Sequence, residues 1–171
     1  MEKLPIFLLI IILLIAVIFD IRFHRIPNWL TFPTLIIAIA YHVWTRGFAG
    51  LVFGFAGLLV GIAVLSIPYL LGGMGAGDVK LMGAIGGFLG PKNVLLAFLC
   101  SAIIGGLYAI LLLALRGKMN EILKRYGTIL KTFLLTQKFI YVGPAPQKHA
   151  PRVYYGVSIA LGTIISVAFF Y

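Results

Sequence analysis

The sequence predicts an all-α, polytopic membrane protein with about six transmembrane helices and an amphipathic helix on the cytoplasmic face. Three observations carry that expectation. First, 62% of the 171 residues are hydrophobic and 11% are charged, with a mean hydropathy of +1.12; soluble domains are roughly half apolar and about a quarter charged. A chain this short cannot hide so much apolar surface in one core, so its solvent is lipid. Second, the apolar residues fall into segments close to spanning length. Third, the basic residues collect on alternate connections between those segments.

The segments run in order as Leu4–Phe19, about Trp29–Trp44, Phe48–Leu71, Val79–Gly90, about Val94–Leu115 and about Val153–Tyr171. A spanning helix needs roughly 20 residues. The first segment reaches that length with its flanks. It lacks a small-residue cleavage site and carries Glu2 beside Lys3, so it reads as a retained helix rather than a signal peptide. The fourth is short and glycine-rich, and is expected to span incompletely or to begin in a protein-lined depression. Gly50, Gly54, Gly57 and Gly61 in the third segment, with Gly83, Gly86, Gly87 and Gly90 in the fourth, read as close helix contacts. The whole chain, 1–171, is expected to form one membrane-embedded domain.

Charge sets the threading. Of 14 Lys and Arg residues, eight lie between Arg116 and Arg152. With six helices threaded alternately, Arg22, Arg25 and Lys80 fall on that same side, leaving Lys3, Arg46 and Lys92 opposite. The basic side is cytoplasmic by the positive-inside rule, so both termini are expected outside a cell membrane crossed several times. The formal net charge of +10 therefore points to anionic lipid and not to nucleic acid. Within 116–152, apolar residues from Met119 to Leu134 recur at helical spacing with Lys118, Lys124, Arg125, Lys131 and Lys138 mostly off that stripe, the pattern of a helix lying on a membrane.

Cys100 is the lone cysteine, and His24, His42 and His149 have no metal-ligand spacing. No metal, cofactor or intrachain disulfide is expected. Cys100 reads as a small apolar side chain, and the histidines as interfacial.

Four acidic residues exist: Glu2, Asp20, Asp78 and Glu121. Glu2 is terminal, and Glu121 has an ion-pair spacing to Arg125. Asp20 and Asp78 sit at the cytoplasmic ends of apolar segments, at one depth. Each has a structural explanation. Asp20 could mark the lipid–water boundary beside Arg22 or Arg25, and Asp78 could be the N-cap of the fourth helix. An acid near a helix C-terminus opposes the macrodipole, however, and ionisable groups near a bilayer are costly and tend to be functional. Two carboxylates that share a site do not both ionise readily, so one can take a proton from water while the other donates one. That is peptide hydrolysis without a metal or a covalent intermediate.

"GAGD" at 75–78 fits the Gly-x-Gly-Asp signature of membrane aspartic proteases. The fuller "GAGDVKLMGAIGGFLG" resembles the second catalytic segment of type IV prepilin peptidases. "FDIRFHRIPNWLT", residues 19–31, resembles their first, and "APRVYYGVSIALG" resembles the aromatic-Gly stretch that opens their last helix. The resemblance implies that Asp20 and Asp78 are the catalytic pair of an endopeptidase. Gly75, Gly77, Lys80, Pro27 and Asn28 are supporting motif residues. The implied substrates are prepilins and pilin-like precursors, whose short basic leader is cut from the apolar helix that follows. The long bacterial forms also carry an insertion with paired CxxC motifs and methylate the new N-terminus; this chain has Cys100 alone and a four-residue "IRFH" connection before "RIPN", so a small, peptidase-only member is expected. The same two carboxylates could instead serve a small proton- or cation-coupled transporter, and Asp78 could cap a helix in a non-catalytic subunit of a pilus or secretion assembly.

Overall fold

The computed structural model describes residues 3–115 and 154–170. Its described residues are helical: α1 (Lys3–Phe23), α2 (Asn28–Leu70), α3 (Ala76–Leu115) and α4 (Tyr155–Phe170). The amphipathic helix expected within 116–152 lies outside the described residues. α1, α2, α3 as far as Gly105, and α4 belong to one compact unit. A second unit is Gly106–Val153, of which 106–115 is the end of α3.

Three helices, α1, α2 and α3, are long and apolar enough to cross a membrane; α4 is apolar but has 16 residues. α1 has 21 residues, about 31 Å at the helical rise, which matches the roughly 30 Å hydrocarbon core. α2 and α3 have 43 and 40 residues. A straight helix of either length would be about twice as long as the membrane is thick. Neither is straight. Gly47 interrupts α2 with φ 56° and ψ −137°, and Gly90 interrupts α3 with φ 78° and ψ 175°. Residues with a Cβ adopt such positive φ values only at a cost, so each glycine divides its helix into two pieces. The breaks fall where the apolar segments divide in the sequence.

Each piece folds back on its neighbour. Beyond Gly47, Gly50 lies against the His42 carbonyl and Gly54 within reach of Ile39. Gly57 and Gly61 lie against Gly86 and Met82, so the pieces 48–70 and 76–89 are antiparallel. Gly105 touches Ser158, and Gly162 lies against Ser101, which makes 91–105 antiparallel to α4. α1 packs on both α2 and α4. By these directions the C-terminal end of α1 and the start of α3 lie at one end of the unit.

The short fourth segment lies in the core. Every residue from Leu81 to Gly90 is buried, including Leu81, Met82, Ile85, Phe88 and Leu89. A helix apolar all round is enclosed either by protein or by lipid; here it is protein. Glycine makes the enclosure possible. A Cβ on Gly57 would strike the Gly86 carbonyl, and one on Gly86 the Gly57 carbonyl. Bare backbones meet at this crossing, as small residues allow between membrane helices.

The break at Gly90 leaves helix-end carbonyls without donors, and Pro91 brings no N–H. Side chains supply them. His42, only 4% exposed, donates from Nε2 to the Phe88 carbonyl at 3.0 Å, and Asn93 Nδ2 donates to the Leu89 carbonyl at 3.2 Å. The acceptor fixes the His42 proton on Nε2, leaving Nδ1 buried with no hydrogen-bond partner among the described residues. His42 is thus a core residue rather than an interfacial one. His42→Leu is expected to lower stability by about 1–3 kcal/mol, the cost of stranding a buried carbonyl; thermal unfolding of the detergent-solubilised protein measures it.

Candidate functional site

At the end where α1 stops and α3 starts, a cleft of about 410 Å³ opens. Both aspartates line it, Asp20 from α1 and Asp78 from α3. They are 7% and 8% exposed. Burying a charge is costly unless it is hydrogen-bonded, and each carboxylate has a backbone partner.

Asp20 sits near the C-terminus of α1, but its carboxylate meets the N-terminus of α4. The Gly156 N–H donates to Asp20 Oδ2 at 2.9 Å. The first N–H groups of a helix have no partner inside it, and the positive end of the helix dipole favours an acid there. The objection that an acid opposes the α1 dipole is thereby met from another helix. Gly156 also leaves the space: a Cβ there would lie 2.8 Å from Asp20 Oδ2 and 3.0 Å from its Cγ. Gly156→Ala is expected to displace the Asp20 side chain and, on the catalytic role that the motif implies for Asp20, to lower turnover by about tenfold or more, since small misplacements cost that much. Folded protein should be recovered; turnover against unfolding temperature separates the two effects.

Asp78 is not the N-cap of α3. The helix begins two residues earlier, at Ala76, so Gly75 is the N-cap and Asp78 is the third helical residue. From there Oδ2 accepts the Gly75 N–H at 3.1 Å, as the acid of a capping box does. Gly75 and Gly77 matter here for room rather than for unusual backbone angles. Positive φ among the four glycines of 72–77 occurs at Gly72. A Cβ on Gly75 would lie 3.4 Å from Asp78 Oδ2. One on Gly77 would lie 3.1–3.3 Å from Ile26, so α3 docks closely on the turn between α1 and α2.

That turn supplies the opposite wall. Asn28 lines the cleft together with Gly75, Gly77 and Lys80, whereas Pro27 does not. Pro27 is the N-cap of α2, with φ −73° and ψ 145°. The Lys80 ammonium donates to Asn28 Oδ1 at 2.8 Å and stands 5.3 Å from the centre of the Phe32 ring.

Residues that the sequence did not single out also stand here. His24 and Arg25 line the cleft. His24 takes φ 52°, a left-handed helix-ending conformation usually given to glycine, with its N–H on the Asp20 carbonyl at 2.9 Å. Its ring stacks on Tyr154, the centroids 4.9 Å apart. Gly156 was signalled by the aromatic-Gly stretch. His24 carried no signal except its place four residues after Asp20.

Residues 7–110 match the type IV leader peptidase family. Over 111 residues, 63% of this chain, the sequence is 36% identical to the prepilin leader peptidase/N-methyltransferase of Bacillus subtilis strain 168. The aligned part covers 44% of that relative, so the chain spans less than half of its length. No solved structure matches the chain significantly. The family match takes in most of α1, all of α2 and nearly all of α3, including both aspartates and the turn between α1 and α2; the chain belongs to the type IV leader peptidase family.

Proposed function

We propose that this protein is a membrane aspartic endopeptidase that removes the short basic leader from type IV prepilins or pilin-like precursors. The observation that carries the reading is that the two aspartates of the chain, 58 positions apart in sequence, line one cleft in a member of a leader peptidase family. In the proposed reaction, the ionised carboxylate takes a proton from water as it attacks the scissile carbonyl. The protonated one donates a hydrogen bond to the carbonyl oxygen and a proton to the leaving amine. The backbone N–H groups of Gly75 and Gly156 hold the two side chains in place.

In this reading the chain is one multi-pass peptidase domain with about six spans, its site at the cytoplasmic face and its termini outside. Two features support the topology: the antiparallel pieces on either side of Gly47 and Gly90, and the collection of basic residues on alternate connections. Anionic lipids would contact that basic face. Burial of the aspartates at the end of the unit favours a peptidase over a transporter, whose site tends to lie near the midplane.

The test is to incubate the purified protein in liposomes with a precursor bearing a basic leader before an apolar helix, and to sequence the product's N-terminus. A single cut at the junction of leader and helix is expected. An intact precursor, or cuts scattered elsewhere, would overturn the proposal.

A further inference from the structure

Lys80 follows Asp78 by two residues, and the reaction outlined above gives it no task. Residues two apart on a helix do not face each other, so Lys80 is not placed to serve Asp78 as a neighbouring cation. Its side chain goes elsewhere. The ammonium is 2.8 Å from Asn28 Oδ1, 52 positions away in sequence, and lies over the Phe32 ring at 5.3 Å from its centre. Both partners are in the first turns of α2. The residue before Asp78, Gly77, lies close to Ile26: a Cβ on it would be 3.1–3.3 Å from the Ile26 Cβ and backbone. The first turn of α3 is therefore fixed to residues 26–28 at two points, one of backbone contact and one of charge.

Residues 26–28 also follow closely on the helix that carries the other carboxylate. α1 ends at Phe23 and α2 begins at Asn28. The connection between them is short, and its first residue, His24, is held to the Asp20 carbonyl. A tilt of α3 against this turn would change the separation of Asp20 and Asp78. Beside the Gly156 N–H that holds the Asp20 carboxylate from α4, this short connection and the starts of α2 and α3 link the two aspartates. Lys80 is the side chain that closes this frame.

We infer that Lys80 is a positioning residue: by clipping the start of α3 to Asn28 and Phe32 of α2, it sets the spacing of Asp78 from Asp20, and it does not read the substrate's leader. The inference rests on the proposed role of the two aspartates. The alternative task for a lysine in this cleft would be substrate contact. A cation there would repel a basic leader and would show itself in substrate affinity, so the two tasks have different kinetic signatures.

The experiment compares Lys80→Ala, Lys80→Arg, Asn28→Ala and the Lys80→Ala/Asn28→Ala double variant in liposomes, with Asp78→Asn as a reference. Each is assayed on a precursor with its basic leader and on one whose leader lysines and arginines are replaced by glutamine. Lys80→Ala and Asn28→Ala are each expected to lower kcat about tenfold, with KM changed by less than about twofold, because a misplaced group loses rate rather than binding. The double variant should be no slower than the slower single one, as two ends of a single contact require. The loss should be the same for both leaders. Lys80→Arg, which keeps a donor and a cation for the ring, should recover most of the rate.

A loss confined to KM, a loss that depends on leader charge, or additive losses in the double variant would overturn the inference. Wild-type cleavage by Lys80→Ala beside an inactive Asp78→Asn would overturn the clip alone. Wild-type cleavage by Asp78→Asn would overturn the reading of the aspartates, and the clip with it. Unfolding temperatures within the error of wild type are expected throughout, because an exposed bond of this kind adds little to stability.

Discussion

Asp78→Asn is expected to give a folded, membrane-inserted protein that cleaves precursor about 10²- to 10⁴-fold more slowly, the usual contribution of a positioned proton donor or acceptor. The fold should survive because the change is small where the structure uses this side chain. The amide oxygen of Asn can still accept the Gly75 N–H that Asp78 Oδ2 accepts at 3.1 Å. What Asn cannot do is exchange a proton with water or with a leaving amine. The same argument holds for Asp20→Asn, whose amide oxygen can keep the Gly156 N–H. Cleavage rate and unfolding temperature, measured on the same preparation, separate the two roles of each carboxylate. If Asp78 were only the acid of a capping box, Asn would preserve cleavage.

The largest loss of stability is expected at Gly57. The Cβ of any other residue would collide with the Gly86 carbonyl, and the reverse holds for Gly86. The obstacle in both cases is backbone, which cannot rotate away as a side chain can. Overpacking of a filled core costs about 1–3 kcal/mol and sometimes more, so Gly57→Ala should fall at the upper end of that range and Gly57→Leu should prevent recovery of monodisperse protein. Gly106 is the internal control. Among the described residues a Cβ there would meet nothing within 4 Å, so Gly106→Ala should be neutral or should stabilise by up to about 1 kcal/mol through helix propensity. Unfolding temperatures in detergent for the three variants test whether close backbone approach, rather than glycine content, is what the core requires.

The sequence made the apolar segments and the two aspartates legible, because hydropathy and a carboxylate in an apolar chain are both properties of residue type. It also located the glycine contacts between the third and fourth segments. The part it left unread depends on tertiary geometry. Nothing in "VIFDIRF" says that the Asp20 carboxylate meets the first turn of α4, so the acid looked misplaced against its own helix dipole. Asp78 looked like an N-cap because the helix was expected to start after it; the start at Ala76 moves it into the first turn, with its side chain turned back to Gly75. Val79–Gly90 looked too short for a span, and its residues 81–90 are all buried; residue type alone does not tell whether protein or lipid surrounds an apolar helix. His42 passed for an interfacial residue because its acceptor, the Phe88 carbonyl 46 positions away in sequence, is left without a donor only by the helix break at Gly90.

The central claim is that Asp20 and Asp78 act together on one water molecule. The direct measurement is the single-turnover cleavage rate of one precursor by Asp20→Asn, Asp78→Asn and the double variant, each reconstituted in liposomes at equal folded protein. Groups that act as a unit are strongly non-additive. The account predicts that each single variant loses about as much rate as the double, within the 10²- to 10⁴-fold range of proton-transfer catalysis. Wild-type cleavage by either single variant, or losses that multiply in the double, would contradict it.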